Sequence, residues 1–351
     1  MKKNDFQILN NLLNSEPAFR RKQVFQALFN CQKNDWKQVT NISKQLRKNL
    51  TEQYGWLNVE LSELLEDPQE QTYKVVLKLS DGLLVESALM LNNKGNYTAC
   101  LSSQIGCSIK CIFCASGKHG LKRNLTDREI VDQFLFWNHF IYKKNPEKTV
   151  SNIVFMGMGD PLLNYNGVCN AVNTIISHTT LGPHNITVST IGLKQPMEKL
   201  LSDPLWPKVR FAVSLHSAID SVRQKLVPTI KDHASFLLFL KKWSKEYFKR
   251  FNHRQQRLCY ECVLLKGIND DSKNAQALLE FCKEVYDIRL RVNLIPFNTT
   301  DDQLISPSRK TIEAFQNTLR NGGIHCFIRK SKGQNIQAAC GQLVSSKQKN
   351  L

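Results

Sequence analysis

The spacing of apolar positions changes twice along the chain. Up to about residue 50, Phe6, Leu9, Leu12 and Leu13, and then Val24, Ala27 and Leu28 after Phe19, recur at helical intervals, which predicts a small helical module. An acidic stretch, ELSELLEDPQEQ, leads into YKVVLKL and LLVESALML, whose alternation predicts two strands with a turn at Asp81-Gly82. Beyond residue 90 the runs YTACLSS, NIVFM, ITVST, VRFAVSL, YECVLL, RVNLIPF and HCFIRK are separated by helical stretches. That pattern predicts βα units and a largely parallel sheet. Thr126 and Glu129 form a capping box that starts the helix after the first run. The expected layout is an N-terminal helical accessory domain over 1–90, an α/β core over 91–345 and a basic tail over 346–351.

Composition narrows the class. With 42% hydrophobic and 22% charged residues, disordered and fibrous classes are excluded. The greasiest segment, FLFWNHFIY, carries Asn138 and His139, so no membrane span is predicted. Lys2 and Lys3 are followed by Asp5 and no apolar run, so no secretory signal is read and a cytoplasmic location is expected. The net charge of +18 favours a polyanionic partner, with nucleic acid first. The charge is segregated: residues 1–50 hold ten basic and three acidic side chains, and 51–85 hold two and seven. FRRKQ near residue 20 and KKWSKEYFKRFNHRQQR at 241–257 are the basic stretches available for RNA. In the second, Trp243, Tyr247, Phe248 and Phe251 stand at helical spacing and are expected in the core, with the lysines outward.

The polar punctuation falls at strand ends. GMGD with Gly159 and Asp160 follows NIVFM, Ser189 ends one run, Ser214 and His216 end another, and Asn298 follows RVNLIPF. In parallel sheets and barrels that edge carries the active site. Eleven cysteines without a secretory signal point to metal, cluster or redox chemistry rather than a disulfide framework. Cys107, Cys111 and Cys114, in CSIKCIFC, are close enough to bind zinc or an iron-sulfur cluster. Zinc would want a fourth ligand, for which His119 is nearby; a three-thiolate cluster would leave one iron open to a substrate. Cys259, Cys262, Cys31, Cys169, Cys282 and Cys326 read as core.

The Cys107, Cys111, Phe113, Cys114 loop resembles that of the radical-SAM superfamily. Together with Cys100 in ACLSSQIGC, GLKRNLTDREIVDQ, SLHS, IRKSKG and Cys340 in QAACGQL, the chain looks like the radical-SAM methylsynthases of ribosomal RNA adenosine, the RlmN/Cfr type, over nearly its whole length. The resemblance implies a partial (β/α)6 TIM-like barrel as catalytic core, a 4Fe-4S cluster on Cys107, Cys111 and Cys114, and two S-adenosylmethionine molecules per turnover. It further implies that Cys340 carries a methyl group, that Cys100 resolves the protein-RNA adduct through a transient disulfide, and that Glu86 accepts a proton. Gly159, Asp160, Ser189, Ser214, Leu215, His216 and Asn298 match S-adenosylmethionine-binding positions. The implied partners are 23S rRNA, tRNA and a one-electron reductant such as flavodoxin, for a monomeric enzyme acting at carbon 2. Carbon-8 methylation, a different radical-SAM reaction and a zinc-bound RNA-binding module are the alternatives. Departures from the family pattern are Asp160 in place of Glu, Gln337 in place of Asp, Thr229-Ile230 after VP, and one extra residue between Glu86 and Cys100.

Overall fold

Leucines and aromatics three and four apart give the first elements their buried stripes. Helix α1 (Phe6–Leu12) buries Phe6 and Leu9, α2 (Ala18–Leu28) buries Val24, Ala27 and Leu28, and α3 (Lys44–Gln53) buries Leu46 and Leu50. Ser43 caps α3 by accepting from Leu46 N at 3.2 Å. The expected helical module is therefore present in this computed structural model, which describes residues 6–230, 233–300 and 303–343. The expected tail, 346–351, lies outside the described residues.

Four strands follow in antiparallel order, β1 (Val59–Asp67), β2 (Thr72–Leu79), β3 (Leu84–Leu91) and β4 (Tyr97–Cys100). The β2–β3 turn sits where Asp81-Gly82 predicts it, with Gly82 at φ 84° donating to Leu79 O. Strand β1 is the acidic stretch that periodicity left without an element. It forms one edge of the sheet, and its exposed Glu60 and Glu66 suit an edge that must not recruit another strand.

The chain then leaves the sheet for a two-stranded ribbon, β5 (Gln104–Gly106) and β6 (Leu121–Asn124), with the short helix α4 (Ala115–Lys118) between them. Helix α5 (Asp127–Lys144) starts on the predicted capping box. Parallel strands β7 (Val150–Phe155), β8 (Ile186–Thr190), β9 (Arg210–Ser214), β10 (Leu258–Leu264), β11 (Leu290–Pro296) and β12 (Cys326–Ile328) complete the sheet. They alternate with α6 (Tyr165–His178), α7 (Lys194–Ser202), α8 (Asp220–Leu226), α9 (His233–Arg250), α10 (Ser272–Glu284) and α11 (Arg309–Asn321). The order β1-β2-β3-β4-β7-β8-β9-β10-β11-β12 leaves β1 and β12 as unpaired ends, which is a partial barrel. The sheet passes residue 90 without a break, since Ala88 of β3 pairs with Cys100 of β4. The segment after β12 crosses the open side: Lys332 Nζ donates to Leu91 O at 2.6 Å, Gly333 N to the Glu70 carboxylate, and Asn335 Nδ2 to Asp67 at 3.2 Å.

On α9 the aromatics are core, as expected: Trp243, Tyr247, Phe248 and Phe251 are buried, while Lys242, Lys245 and Lys249 are exposed. Cys169, Cys262, Cys282 and Cys326 are likewise buried. Cys31 and Cys259 correct that reading, because both are only half-buried: Cys31 follows the end of α2, and Cys259 shares the inner face of β10 with Glu261. Among the described residues no helix is long and apolar enough to cross a membrane.

One buried charge fastens the N-terminal helices to the core. Arg128 on α5 is fully buried, bonds Asp132 at 2.8 Å, donates to Trp56 O, and lies 4.3 Å from the Tyr54 ring centre and 5.7 Å from that of Phe6. Asp132 also accepts from Asn58 N at 3.1 Å.

Candidate active site

The polar residues predicted at strand ends meet in one cavity of about 150 Å³. Gly159, Asp160, Ser189, Ser214, His216 and Asn298 line it together with Cys107, Cys111, Cys114 and Cys340. The walls are otherwise apolar, from Ile109, Phe113, Val263, Ile295 and Phe297.

The cysteine loop is held open by its backbone. Gly106, at φ 76°, passes so close to Gly120 that an added Cβ would stand 1.8 Å from the carbonyl oxygen, and Lys110 takes the left-handed conformation at φ 54°. Cys107 N donates to Gly120 O at 3.1 Å and Ile112 N to Leu226 O at 3.1 Å. Thr229 Oγ1 donates to Ile109 O, so the departure after VP supplies a support for this loop. Burial pushes all three thiols up, Cys107 to about 12. Buried thiols of this kind become thiolates when a cationic centre binds them. Three soft donors on one wall, facing a lined cavity, therefore fit an iron-sulfur cluster with one open corner. Among the described residues no three His, Cys, Asp or Glu side chains come together as ligands of one ion, and His119 is not a cavity residue.

Asp160 is engaged by its own chain. Its carboxylate accepts from Leu162 N at 2.9 Å, Ile191 N at 2.7 Å and the Thr190 hydroxyl at 2.8 and 2.9 Å. Burial raises its pKa, against these hydrogen bonds. The side chain thus ties the β7 loop to the end of β8, leaving Gly159, at φ 90°, as the open backbone of that loop. His216, at φ 62°, accepts from Val263 N through Nδ1 at 3.2 Å, and burial pushes its pKa down to about 3. The imidazole is neutral with its proton on Nε2, a buried nitrogen with no hydrogen-bond partner among the described residues. Ser189 Oγ and Ser214 Oγ stand 3.5 Å apart. Leu215 does not line the cavity; its side chain is buried in the core and its carbonyl accepts from Arg223 Nε.

Cys340 sits on a loop clipped to the cysteine loop. Ala115 N donates to Gly341 O at 2.7 Å, Ser116 Oγ to Leu343 O at 2.5 Å, and Asn298 Nδ2 to Cys340 O at 3.0 Å. Asn298 is itself held by Gln334 at 2.7 Å. Gln337 is exposed, at φ 51°, and lines neither cavity, so its departure from the family pattern leaves the thiol's surroundings alone. Cys340 also lines a smaller adjoining cavity, where it meets Cys100. Burial, then the Cys340 sulfur, pushes the Cys100 thiol up to about 12.

Glu86 lines neither cavity. It is fully buried, with Lys74 Nζ 3.6 Å from its carboxylate. It shares a sheet face with Ala88 and hence with Cys100, and β3 pairs with β4 in unbroken register on either side of the Asn92–Asn96 turn. Sequence reasoning gave no site role to Glu261 or Arg329, both of which line the main cavity. A carboxylate inside the apolar run YECVLL and an arginine at the end of HCFIRK were the available signals.

Comparison with known proteins agrees with this geometry. No family model matches the chain. It is 38% identical over 339 residues to a "Probable dual-specificity RNA methyltransferase RlmN" of Flavobacterium psychrophilum, covering 95% of this chain and 93% of that one. A protein of the same description from a Thermotoga species is 37% identical over 328 residues, 93% of this chain and 91% of the relative. A crystal structure of a radical SAM methyltransferase from Sphaerobacter thermophilus superposes with a TM-score of 0.87 at 31% identity, over 97% of each chain.

Proposed function

The chain belongs to the RlmN dual-specificity RNA methyltransferases, and from that membership we propose that it methylates carbon 2 of adenosine in 23S rRNA and in tRNA. It is a radical S-adenosylmethionine enzyme. The observation that carries the residue assignments is the convergence of three cluster-type thiols and Cys340 on one cavity, with Cys100 in the next. Cys107, Cys111 and Cys114 would hold a 4Fe-4S cluster, which on reduction supplies the electron that splits S-adenosylmethionine into methionine and a 5′-deoxyadenosyl radical. Gly159, Ser189, Ser214 and the Nε2–H of His216 are donors and close backbone suited to that cosubstrate, with Asp160 and Asn298 holding their loops. Leu215 acts through its backbone place beside His216.

Carbon 2 of adenine is electron-poor, so a sulfur-borne methylene radical is a better partner for it than an electrophilic methyl group. Cys340 would take its methyl from one S-adenosylmethionine and lose a hydrogen atom to the radical made from a second. Glu86, which lines neither cavity, would have to receive the proton lost from carbon 2 through a relay, and Cys100 releases the product by forming a disulfide with Cys340. Each turnover thus uses two S-adenosylmethionine molecules and needs a one-electron reductant such as flavodoxin. A basic groove on the N-terminal helices, lined by Lys37, Lys44, Arg47 and Lys48, and the exposed Arg21 and Lys22 of α2 are suited to RNA phosphates. Within the expected 1–90 unit we take the helices α1–α3 as the accessory RNA-binding part, with β1–β3 joining the catalytic sheet of 91–345, and the enzyme as a cytoplasmic monomer.

The test is mass spectrometry of the Cys340 peptide from enzyme made with methyl-labelled S-adenosylmethionine, together with mapping of the methyl group in a treated 23S rRNA fragment. A labelled peptide and 2-methyladenosine are expected. An unlabelled peptide from active enzyme refutes the carrier role, and methyl at carbon 8 refutes the assigned position.

A further inference from the structure

We propose that Arg329 is a positioning residue for both sulfurs: its guanidinium, braced by Glu261, holds Cys100 and Cys340 together and stabilises the anion on Cys100 as it attacks. This rests on the reading of Cys340 as methyl carrier and Cys100 as resolving thiol.

Arg329 lines the main cavity and the smaller one, as Cys340 does. Among the described residues no other Lys or Arg lines the main cavity. In the smaller one, Lys332 is drawn away to Leu91 O and Lys330 is exposed. The Arg329 backbone is fixed at the end of β12, where its N–H donates to Leu294 O at 2.8 Å. Nη1 lies 3.8 Å from Glu261 Oε2 and 3.2 Å from Met156 Sδ, and Glu261 is steadied by Asn293 at 2.9 Å. The groups that hold the guanidinium charged are, in order, the Cys340 sulfur, Glu261, Cys100 and Cys259. From the other side, Arg329 is the cation that opposes the upward push of burial on Cys100. A planar fork with five donors can serve two sulfurs and a carboxylate together, and an ammonium keeps the charge with three.

In the step concerned, the Cys100 thiolate attacks the Cys340 sulfur of the adduct. The S–S bond forms and the Cys340 S–CH2 bond breaks, with its electron pair left on the methylene carbon. That carbon takes a proton and becomes the methyl group. The proton of carbon 2 has already gone to a base, and the odd electron of the adduct would go to the cluster that Cys107, Cys111 and Cys114 would hold. Negative charge is carried on sulfur at the start of this step, where the guanidinium stands.

The experiment compares Arg329→Met and Arg329→Lys with wild type, each as full-length reconstituted holoenzyme with a target RNA fragment. One quench series reads 5′-deoxyadenosine, covalent protein–RNA adduct and released methylated RNA. For Arg329→Met, 5′-deoxyadenosine is expected to form within about twofold of wild type while adduct accumulates. Release should slow at least about tenfold, as loss of one charge-assisted hydrogen bond implies. Arg329→Lys should recover most of the release rate. A packing role would slow all three quantities together and would not be rescued by lysine. Release from Arg329→Met at the wild-type rate would overturn the proposal. Circular dichroism and iron content confirm loading, and Arg329→Gln replaces the methionine variant if that one does not fold. An unmethylated Cys340 in the wild-type control would remove the underlying reading as well, so the two failures are told apart.

Discussion

Replacing Arg128 by methionine tests whether one buried ion pair docks the N-terminal helices. Methionine keeps most of the stem volume but removes the bond to Asp132 at 2.8 Å, the bond to Trp56 O and the stacking on Tyr54. Asp132 is then left fully buried with Asn58 N still donating to it. Breaking a buried pair in this way costs about 3–5 kcal/mol, which for a chain of this size lowers Tm on the order of 10 °C. The loss has a pH dependence of known sign. Burial already holds Asp132 above the usual carboxylate range, and Arg128 is the main opposing influence. Without Arg128 the folded carboxyl keeps a proton that the unfolded chain gives up near pH 4, at about its reference value. The folded state then binds more protons, so stability falls as pH rises through that window. The deficit should be smaller at pH 5 than at pH 8. Urea unfolding followed by the fluorescence of Trp36 and Trp56, and proteolysis across residues 54–58, are the assays. The double change Arg128→Met with Asp132→Leu removes the stranded charge and should regain at least half of the loss. A single variant within about 1 kcal/mol of wild type at pH 8, well short of the expected cost, or a double variant no better than the single one, would refute the reasoning.

Cys107→Ser, Cys111→Ser and Cys114→Ser should each abolish the visible absorbance and sharply lower the iron content of anaerobically reconstituted protein; unchanged iron in any of them removes that residue from the ligand set. Asp160→Asn must turn an amide N–H toward Leu162 N or Ile191 N, costing about 1–3 kcal/mol in urea unfolding, and a stability equal to wild type would mean that the carboxylate does not hold the loop. Gln337→Asn relieves a left-handed residue and should stabilise the protein by up to about 1 kcal/mol with methylation unchanged; a lower Tm contradicts that account. In denaturant-free protein at pH 8, iodoacetamide should label half-buried Cys340 at least tenfold faster than buried Cys100, as read from peptide masses, and equal rates would contradict the placement of Cys100.

Much of this architecture is written in local signals. The Thr126–Glu129 box starts α5 and Asp81-Gly82 turns β2 into β3, because each is decided by residues within reach of one turn of chain. Strand-end residues were legible for a related reason: when strands run parallel, residues far apart in sequence share one edge. Strand β1 was not legible, since a solvated edge needs few apolar residues and its acidic ones read as loop. Glu261 and Arg329 were missed because a charge turned toward a cavity makes sense only beside its partner, and Asn293, Cys100 and Cys340 come from other parts of the chain. Asp160 shows the limit from the other side. Its residue type suggested a ligand for an amine, yet Leu162, Thr190 and Ile191 already fill its acceptor sites. Nor did spacing alone bring Cys100 to Cys340: the strap after β12 does so by crossing from one end of the sheet to the other.

That strap is joined to the cysteine loop through its own carbonyls, Gly341 O accepting from Ala115 N and Leu343 O from the Ser116 hydroxyl. The spacing between the Cys340 sulfur and the Cys107, Cys111 and Cys114 loop is therefore set largely by how many residues the strap holds. Around such a joint an exposed side chain such as that of Gln337 can change in chemical character, but the strap cannot change in length. Insertions and deletions between Gly333 and Gly341 are the changes this enzyme has least room to absorb.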